Sequence, residues 1–184
     1  NGGRGALPSA IRPIDTRRRL NGRAFTVECA PGDNLWLHRA LLEVSPGDVL
    51  VCSVGGAYEH GYWGDVLTFA AMSKGVSGLV IDGGVRDADQ IEELGFPVFS
   101  RLLCIRGTSK IRDAKGSIGG RATIGDVTVN TGDLISGDRD GAVAIAAPDI
   151  ETAVRKAADR EAKEEDVRAR LRHGETTLQI YQLV

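Results

Sequence analysis

The sequence predicts an α/β domain: βαβ units beside a glycine-rich antiparallel β layer, followed by a C-terminal helix, in a β/β/α sandwich. Three observations carry this. Residues 51–98 read as strand, helix, strand, helix, strand, the pattern of parallel strands joined by helical crossovers. Beyond residue 99 the apolar runs are short and interrupted by glycine, as in hairpins. From Pro148 to about Arg172 a long charged stretch reads as one helix.

Taken in order, residues 1–20 are rich in Gly, Pro and Arg, lack periodicity, and read as a loop or arm. Residues 23–29 alternate like a strand, and the turn Pro31-Gly32-Asp33 leads to an amphipathic helix over 34–43 with an Asp or Asn cap. Pro46-Gly47-Asp48 turns into a buried strand over 49–54. A glycine-rich loop, 55–64, precedes a helix over 65–73, and 79–82 form an apolar strand ending at Asp82, read as a turn residue. A second helix opens near Asp87. The β runs that follow are 98–106, 121–124, 127–129, 133–136 and 142–146, and a short tail spans 178–183. With no break in composition, residues 1–184 are expected to be one domain. Because the first residue is Asn, not Met, N-terminal sequence is expected to be missing.

Composition narrows the function classes. A net charge of −2 gives no basic face for nucleic acid. The basic run 168–172 is interleaved with Glu161, Glu164, Glu165 and Asp166 and reads as a solvated helix face. Cys29, Cys52 and Cys104 are odd in number, far apart and set in apolar runs, which suits free buried thiols in a reducing compartment, the cytoplasm. No apolar stretch approaches the ~20 residues of a membrane span. The 24 glycines, nearly twice the usual ~7%, point to a protein whose turns shape a site.

Two loops carry candidate chemistry. In consecutive parallel strands the loops at the carboxyl ends share one rim, where ligands bind. Tyr62-Trp63-Gly64-Asp65 and Asp82-Gly83-Gly84-Val85-Arg86-Asp87 each open a helix there, which brings Asp65 near Arg86 and Asp87. The free amides of Val66 and Leu67 at a helix start suit a carboxylate. The planar fork of Arg86 suits a carboxylate or oxo group. Asp65 and Asp87 offer the hard oxygens that Mg²⁺ or Mn²⁺ prefers, and metal with Arg stabilises an enolate. The same residues also fit a plainer account. Asp87 and Gln90 have capping-box spacing, Asp65 can be a helix cap, and Arg86 can pair with Glu92 or Glu93. His60 is placed to line the pocket, whereas His38 in mid-helix reads as structural and His173 as a cation near a helix end. Neither loop holds a lysine for a Schiff base. Gly116–Gly120 lacks the features of a phosphate loop.

At Trp63-Gly64-Asp65, 78–84 (GLVIDGG), Val85-Arg86-Asp87, 91–98 (IEELGFPV), 126–141 (DVTVNTGDLISGDRDG) and 171–181 the chain resembles the RraA-like family. That family includes regulators of ribonuclease activity and class II 4-hydroxy-4-methyl-2-oxoglutarate/4-carboxy-4-hydroxy-2-oxoadipate aldolases. The aldolase signature, an Asp, twenty residues and then Arg-Asp, is met by Asp65, residues 66–85 and Arg86-Asp87.

The resemblance implies a swivelling β/β/α fold, trimers or hexamers, and a lyase cleaving 4-hydroxy-2-oxo acids to pyruvate with oxaloacetate decarboxylase activity. It implies that Asp87 binds the Mg²⁺ or Mn²⁺, that Asp65 holds metal-bound water, and that Arg86 contacts the pyruvate oxygens. Gly64, Val66 and Leu67 would then surround the pyruvate carboxylate. Sites of the family lie at subunit contacts, so a neighbouring chain and the loop 55–62 are expected to surround the C4 group. Many relatives carry an acid where this chain has Gln90, which bears on the outer metal shell. The other branch implies a non-catalytic regulator of ribonuclease or degradosome activity acting through protein binding.

Overall fold

The computed structural model describes residues 4–183. The chain forms two compact units, one running to Ala147 and one beginning at Pro148. The first unit contains β1 (Arg12–Pro13), β2 (Leu20–Glu28), α1 (Leu35–Glu43), β3 (Asp48–Ser53), β4 (Gly61–Trp63), α2 (Asp65–Ser73), β5 (Gly78–Val85), α3 (Ala88–Leu94), β6 (Val98–Leu103), β7 (Ser117–Ile118), β8 (Arg121–Ile124), β9 (Val127–Asn130), β10 (Leu134–Asp138) and β11 (Gly141–Ile145). A 3-10 turn at Ala147–Asp149 leads into α4 (Ile150–Arg172) and α5 (Thr177–Ile180).

The main sheet runs β1-β6-β5-β3-β2-β10-β11. Its middle is parallel: β2 pairs with β3, β3 with β5, and β5 with β6. Each crossover moves one place in the same direction. Because such crossovers are right-handed, all three connecting helices must fall on one face. The residues show it. Leu50 and Cys52 of β3 and Leu79 and Ile81 of β5 pack in one core with Leu37 of α1, Leu67 of α2 and Ile91 of α3. Their neighbours Val49, Val51 and Val80 face the other way, into a core with Ala122, Ile124 and Val129 of the β8–β9 ribbon. Strands buried on both faces need continuous apolar runs, as 49–54 and 79–81 supply. The result is the layered α/β arrangement expected.

Several elements differ from expectation. The arm before residue 20 is fastened, not free: β1 pairs with β6, Ala6 bridges to Val143, and Leu7 and Ile11 enter the β-side core. The loop over 55–64 contains β4, which adds in parallel to β5 at Gly84 and Val85. Strand β5 continues through Val85, so Asp82 is not a strand-end turn residue. It is buried, and its carboxylate takes the Arg101 guanidinium at 2.5 Å and the Gly125 amide at 3.3 Å. Arg101 in turn lies over the Tyr58 ring, 4.3 Å from its centre. A polar strand residue gives no periodic signal of such a partner. Cys29 and Cys52, distant in sequence, bring their sulfurs to 3.7 Å on adjacent strands, and burial pushes the Cys52 thiol well up.

In the second unit α4 buries no residue, and its basic run is laced to acids as expected. Arg160 meets Glu164 at 2.7 Å, and Arg168 meets Glu165 at 2.9 Å. The tail holds α5, opened by a capping box between Thr176 and Gln179. No helix among the described residues is long and apolar enough to cross a membrane.

Candidate active site

Four carboxyl ends meet on one rim, where two were foreseen. Helix α1 follows β2, α2 follows β4, α3 follows β5, and an irregular segment over 104–116 follows β6. The rim is fastened from α1. Asp33 is buried; one carboxylate oxygen accepts the Leu35 amide at 2.8 Å, and the other accepts the Ile111 amide at 2.6 Å. The Asn34 amide donates to the Ser109 carbonyl, and Trp36 Nε1 donates to the Ala114 carbonyl at 2.9 Å. The Tyr62 hydroxyl accepts the Gly32 amide at 2.7 Å and donates to the Ala57 carbonyl at 2.8 Å, while burial pushes its phenol pKa up. Trp63, fully buried, stacks on Phe96 and donates to the Thr68 hydroxyl, fixing the start of α2.

Asp65, Arg86 and Asp87 come together as predicted. Asp87 Oδ2 accepts the Asp65 amide at 3.3 Å and lies 3.6 Å from Arg86 Nε. Gly64 makes this possible. A methyl group there would lie 2.2 Å from Asp87 Oδ2, so the carboxylate occupies the space that any other side chain would fill. Asp87 itself has φ 58°, a left-handed conformation costly for a residue with a Cβ. It makes no side-chain cap bond, so the capping box with Gln90 does not form; the left-handed backbone aims the side chain at Asp65 instead. Arg86 does not pair with Glu92, which meets Arg17 at 3.7 Å. Asp65 is partly the helix cap it resembled, since its Oδ1 accepts the Val66 amide at 2.7 Å.

A cavity of about 310 Å³ opens here, lined by Gly61, Tyr62, Trp63, Gly64, Asp65, Val66, Leu67 and Arg86, with Asn34, His38, Gly107, Thr108 and Lys110 beyond. Arg86 also borders a second hollow that contains Asp87, so it stands between the two acids' pockets. From the loop 55–62 only Gly61 and Tyr62 line the larger cavity. His60 does not line it, and sits edge-on to Tyr62. Sequence reasoning passed over Asn34, His38, Thr108 and Lys110. The 107–110 segment has no periodicity, and His38 lies within an ordinary amphipathic helix. Among the described residues no three His, Cys, Asp or Glu side chains gather as a metal cage. The donor set is two carboxylates, a number that suits an ion keeping most of its waters, as Mg²⁺ does.

Fold and rim together define a class: a β/β/α domain whose strand ends hold an Arg and two acids around a polar cavity of small-molecule size. A family model for RraA-like proteins, described as Aldolase/RraA, matches residues 1–144, and the chain belongs to that family. A protein of Halalkalibacterium halodurans, named provisionally as a 4-hydroxy-4-methyl-2-oxoglutarate aldolase, is 36% identical over 86% of this chain and 75% of its own. The crystal structure of an uncharacterised protein from Pseudomonas syringae pv. tomato has TM-score 0.86 and 28% identity, covering 100% of this chain and 84% of that one. The structure of the RNA-processing inhibitor RraA from Thermus thermophilus has TM-score 0.68 and 27% identity, covering 76% and 84%.

Proposed function

We propose that this chain is a divalent-metal-dependent lyase that cleaves 4-hydroxy-2-oxo acids to pyruvate and also decarboxylates oxaloacetate. The observation that carries the reading is the convergence of Asp65, Arg86 and Asp87 beside a helix start whose Val66 amide already takes a carboxylate oxygen. A substrate carboxylate has the same chemistry as the Asp65 oxygen it would replace there, and Leu67 presents the next amide. The aldolase name of the Halalkalibacterium relative supports the same reaction class.

In this reading Arg86 binds the oxo-acid oxygens through its fork and opposes the negative charge that develops on them as the bond beyond C3 breaks. Asp65, through a water that it holds, relays the proton. Asp87, with Asp65 behind a water shell, would hold Mg²⁺ or Mn²⁺, which when bound polarises the substrate carbonyl. Both reactions share this one charge, so one site serves both. The exposed apolar face of α2, with Val66 72% and Phe69 65% exposed beside the site, supports assembly into a trimer or hexamer.

The experiment is steady-state pyruvate release from a 4-hydroxy-2-oxo acid and from oxaloacetate, across a Mg²⁺ titration and with a chelator. Arg86→Ala is expected to lower kcat about 10²–10³-fold, because the opposed charge exists mainly in the transition state. Arg86→Lys is expected not to rescue it. Turnover that ignores metal, or an Arg86→Ala enzyme with normal kcat and raised KM alone, overturns the mechanism. A second reading, a non-catalytic regulator of ribonuclease activity, is favoured by the similarity to the Thermus RNA-processing inhibitor. It predicts capture of a degradosome component by wild-type and Asp65→Ala protein alike, with no pyruvate release from either.

A further inference from the structure

The far end of the cavity contains two polar atoms that the protein leaves without partners. Asn34 is 5% exposed; its Nδ2 donates to the Tyr62 carbonyl at 2.8 Å, which fixes the amide, and its Oδ1 is buried and has no hydrogen-bond partner. One turn along α1, His38 Nε2 is likewise buried and unpartnered. Both residues line the cavity that holds Asp65 and Arg86. Most buried polar atoms are paired, because leaving one unpaired carries the full cost of removing it from water. Two orphans lining one cavity therefore describe the shape of a missing partner.

Their chemistry narrows what that partner is. An amide oxygen only accepts, so it requires a group that carries a hydrogen and disfavours a carboxylate. Burial first, and then the neighbouring Lys110 ammonium, hold the His38 imidazole below its ordinary pKa, so that it is neutral and its Nε2 donates or accepts according to tautomer. A group that donates to one atom and exchanges a hydrogen bond with the other is a hydroxyl. Lys110 and Thr108, lining the same end, add a cation and a hydroxyl for an anion just beyond.

We infer that Asn34 and His38 form a hydroxyl-recognition subsite that selects oxo acids bearing a hydroxyl away from the oxo-acid end, with Lys110 facing a second carboxylate. This rests on the lyase reading for the reaction, but not for the binding. A site built to bond a hydroxyl rejects the analogue lacking it, because its own buried polar atoms are then left unpaired.

The test compares 4-hydroxy-4-methyl-2-oxoglutarate with oxaloacetate, which has no such hydroxyl. The measurement is the ratio of kcat/KM for the two substrates in wild type, Asn34→Ala and His38→Phe. The ratio is expected to fall about tenfold or more in each variant. A ratio unchanged in both overturns the subsite, and means that resident water satisfies the two atoms in every state. His38→Gln, which keeps a donor and an acceptor near the Nε2 position, is expected to restore part of the ratio; a Gln variant as poor as Phe counts against recognition by that atom. Should wild type turn over neither substrate, the lyase reading fails, and calorimetry with malate and succinate judges the subsite alone. Preference for malate that disappears in Asn34→Ala and His38→Phe supports it; equal affinity of wild type for the two acids overturns it.

Discussion

Gly64 and Asp87 show how much of the site rests on single backbone positions. The contact that forbids a side chain at 64 is with the end of the Asp87 side chain, not with backbone. Gly64→Ala should therefore displace the carboxylate and leave the fold in place. The expected outcome is a tenfold or greater loss of activity, or a raised Mg²⁺ requirement, with a stability change within about 1 kcal/mol, read by kinetics and denaturant unfolding on the same preparation. Asp87→Gly makes the complementary case. It relieves the left-handed backbone at φ 58° and should stabilise the chain while abolishing tight metal dependence. Stabilisation accompanied by unchanged metal dependence would mean that Asp87 is no ligand. The residues were legible because Asp, Arg and Gly beside helix starts are unusual; the left-handed turn that makes Asp87 face Asp65 was not.

At the scale of elements, α1 and the segment after β6 are joined through Asp33. Its carboxylate satisfies two backbone amides, Leu35 at the start of α1 and Ile111 in the segment carrying Thr108 and Lys110. Asp33→Ala should cost roughly 1–3 kcal/mol, the penalty of buried donors left without a partner. It should also release 107–111, raising KM more than it lowers kcat. Urea unfolding with an unchanged slope, together with kinetics, checks both parts. The helix over 65–73 and the hairpin strands 121–124 were readable to the residue, because local periodicity and turn glycines determine them. The fastening of 104–116 was not readable, since its partners lie about seventy residues earlier and leave no local pattern.

For the first unit as a whole, the two layers are pinned by the buried pair of Asp82 and Arg101, with Gly125 of the β8–β9 turn on the same carboxylate. Arg101→Ala strands a buried charge and should cost about 3–5 kcal/mol, whereas Asp82→Val with Arg101→Met should recover most of that. Thermal unfolding of the three variants checks it, and additive losses would argue against a coupled pair. The N-terminal arm adds a pH dependence. Arg17, through side-chain and backbone hydrogen bonds, holds the Asp15 carboxyl down to about 2. A carboxyl lowered on folding contributes its stability fully above the ordinary range and loses it as pH falls through the folded value. Wild type should therefore lose stability between about pH 4 and 2 more steeply than Asp15→Asn, measured by denaturant midpoints across that window.

By itself the sequence determined the order of strands and helices, the layered α/β class and the three charged residues of the rim. Each of these follows from local periodicity, turn chemistry or side-chain type. Tertiary structure alone decided what surrounds them. Crossovers of one hand and one direction put all three helices on one face and four strand ends on one rim, and that brought Asn34 and His38 of α1 against a loop with no pattern of its own. A polar atom buried without a partner is a property of three-dimensional packing, since burial and pairing both depend on residues far away in the chain.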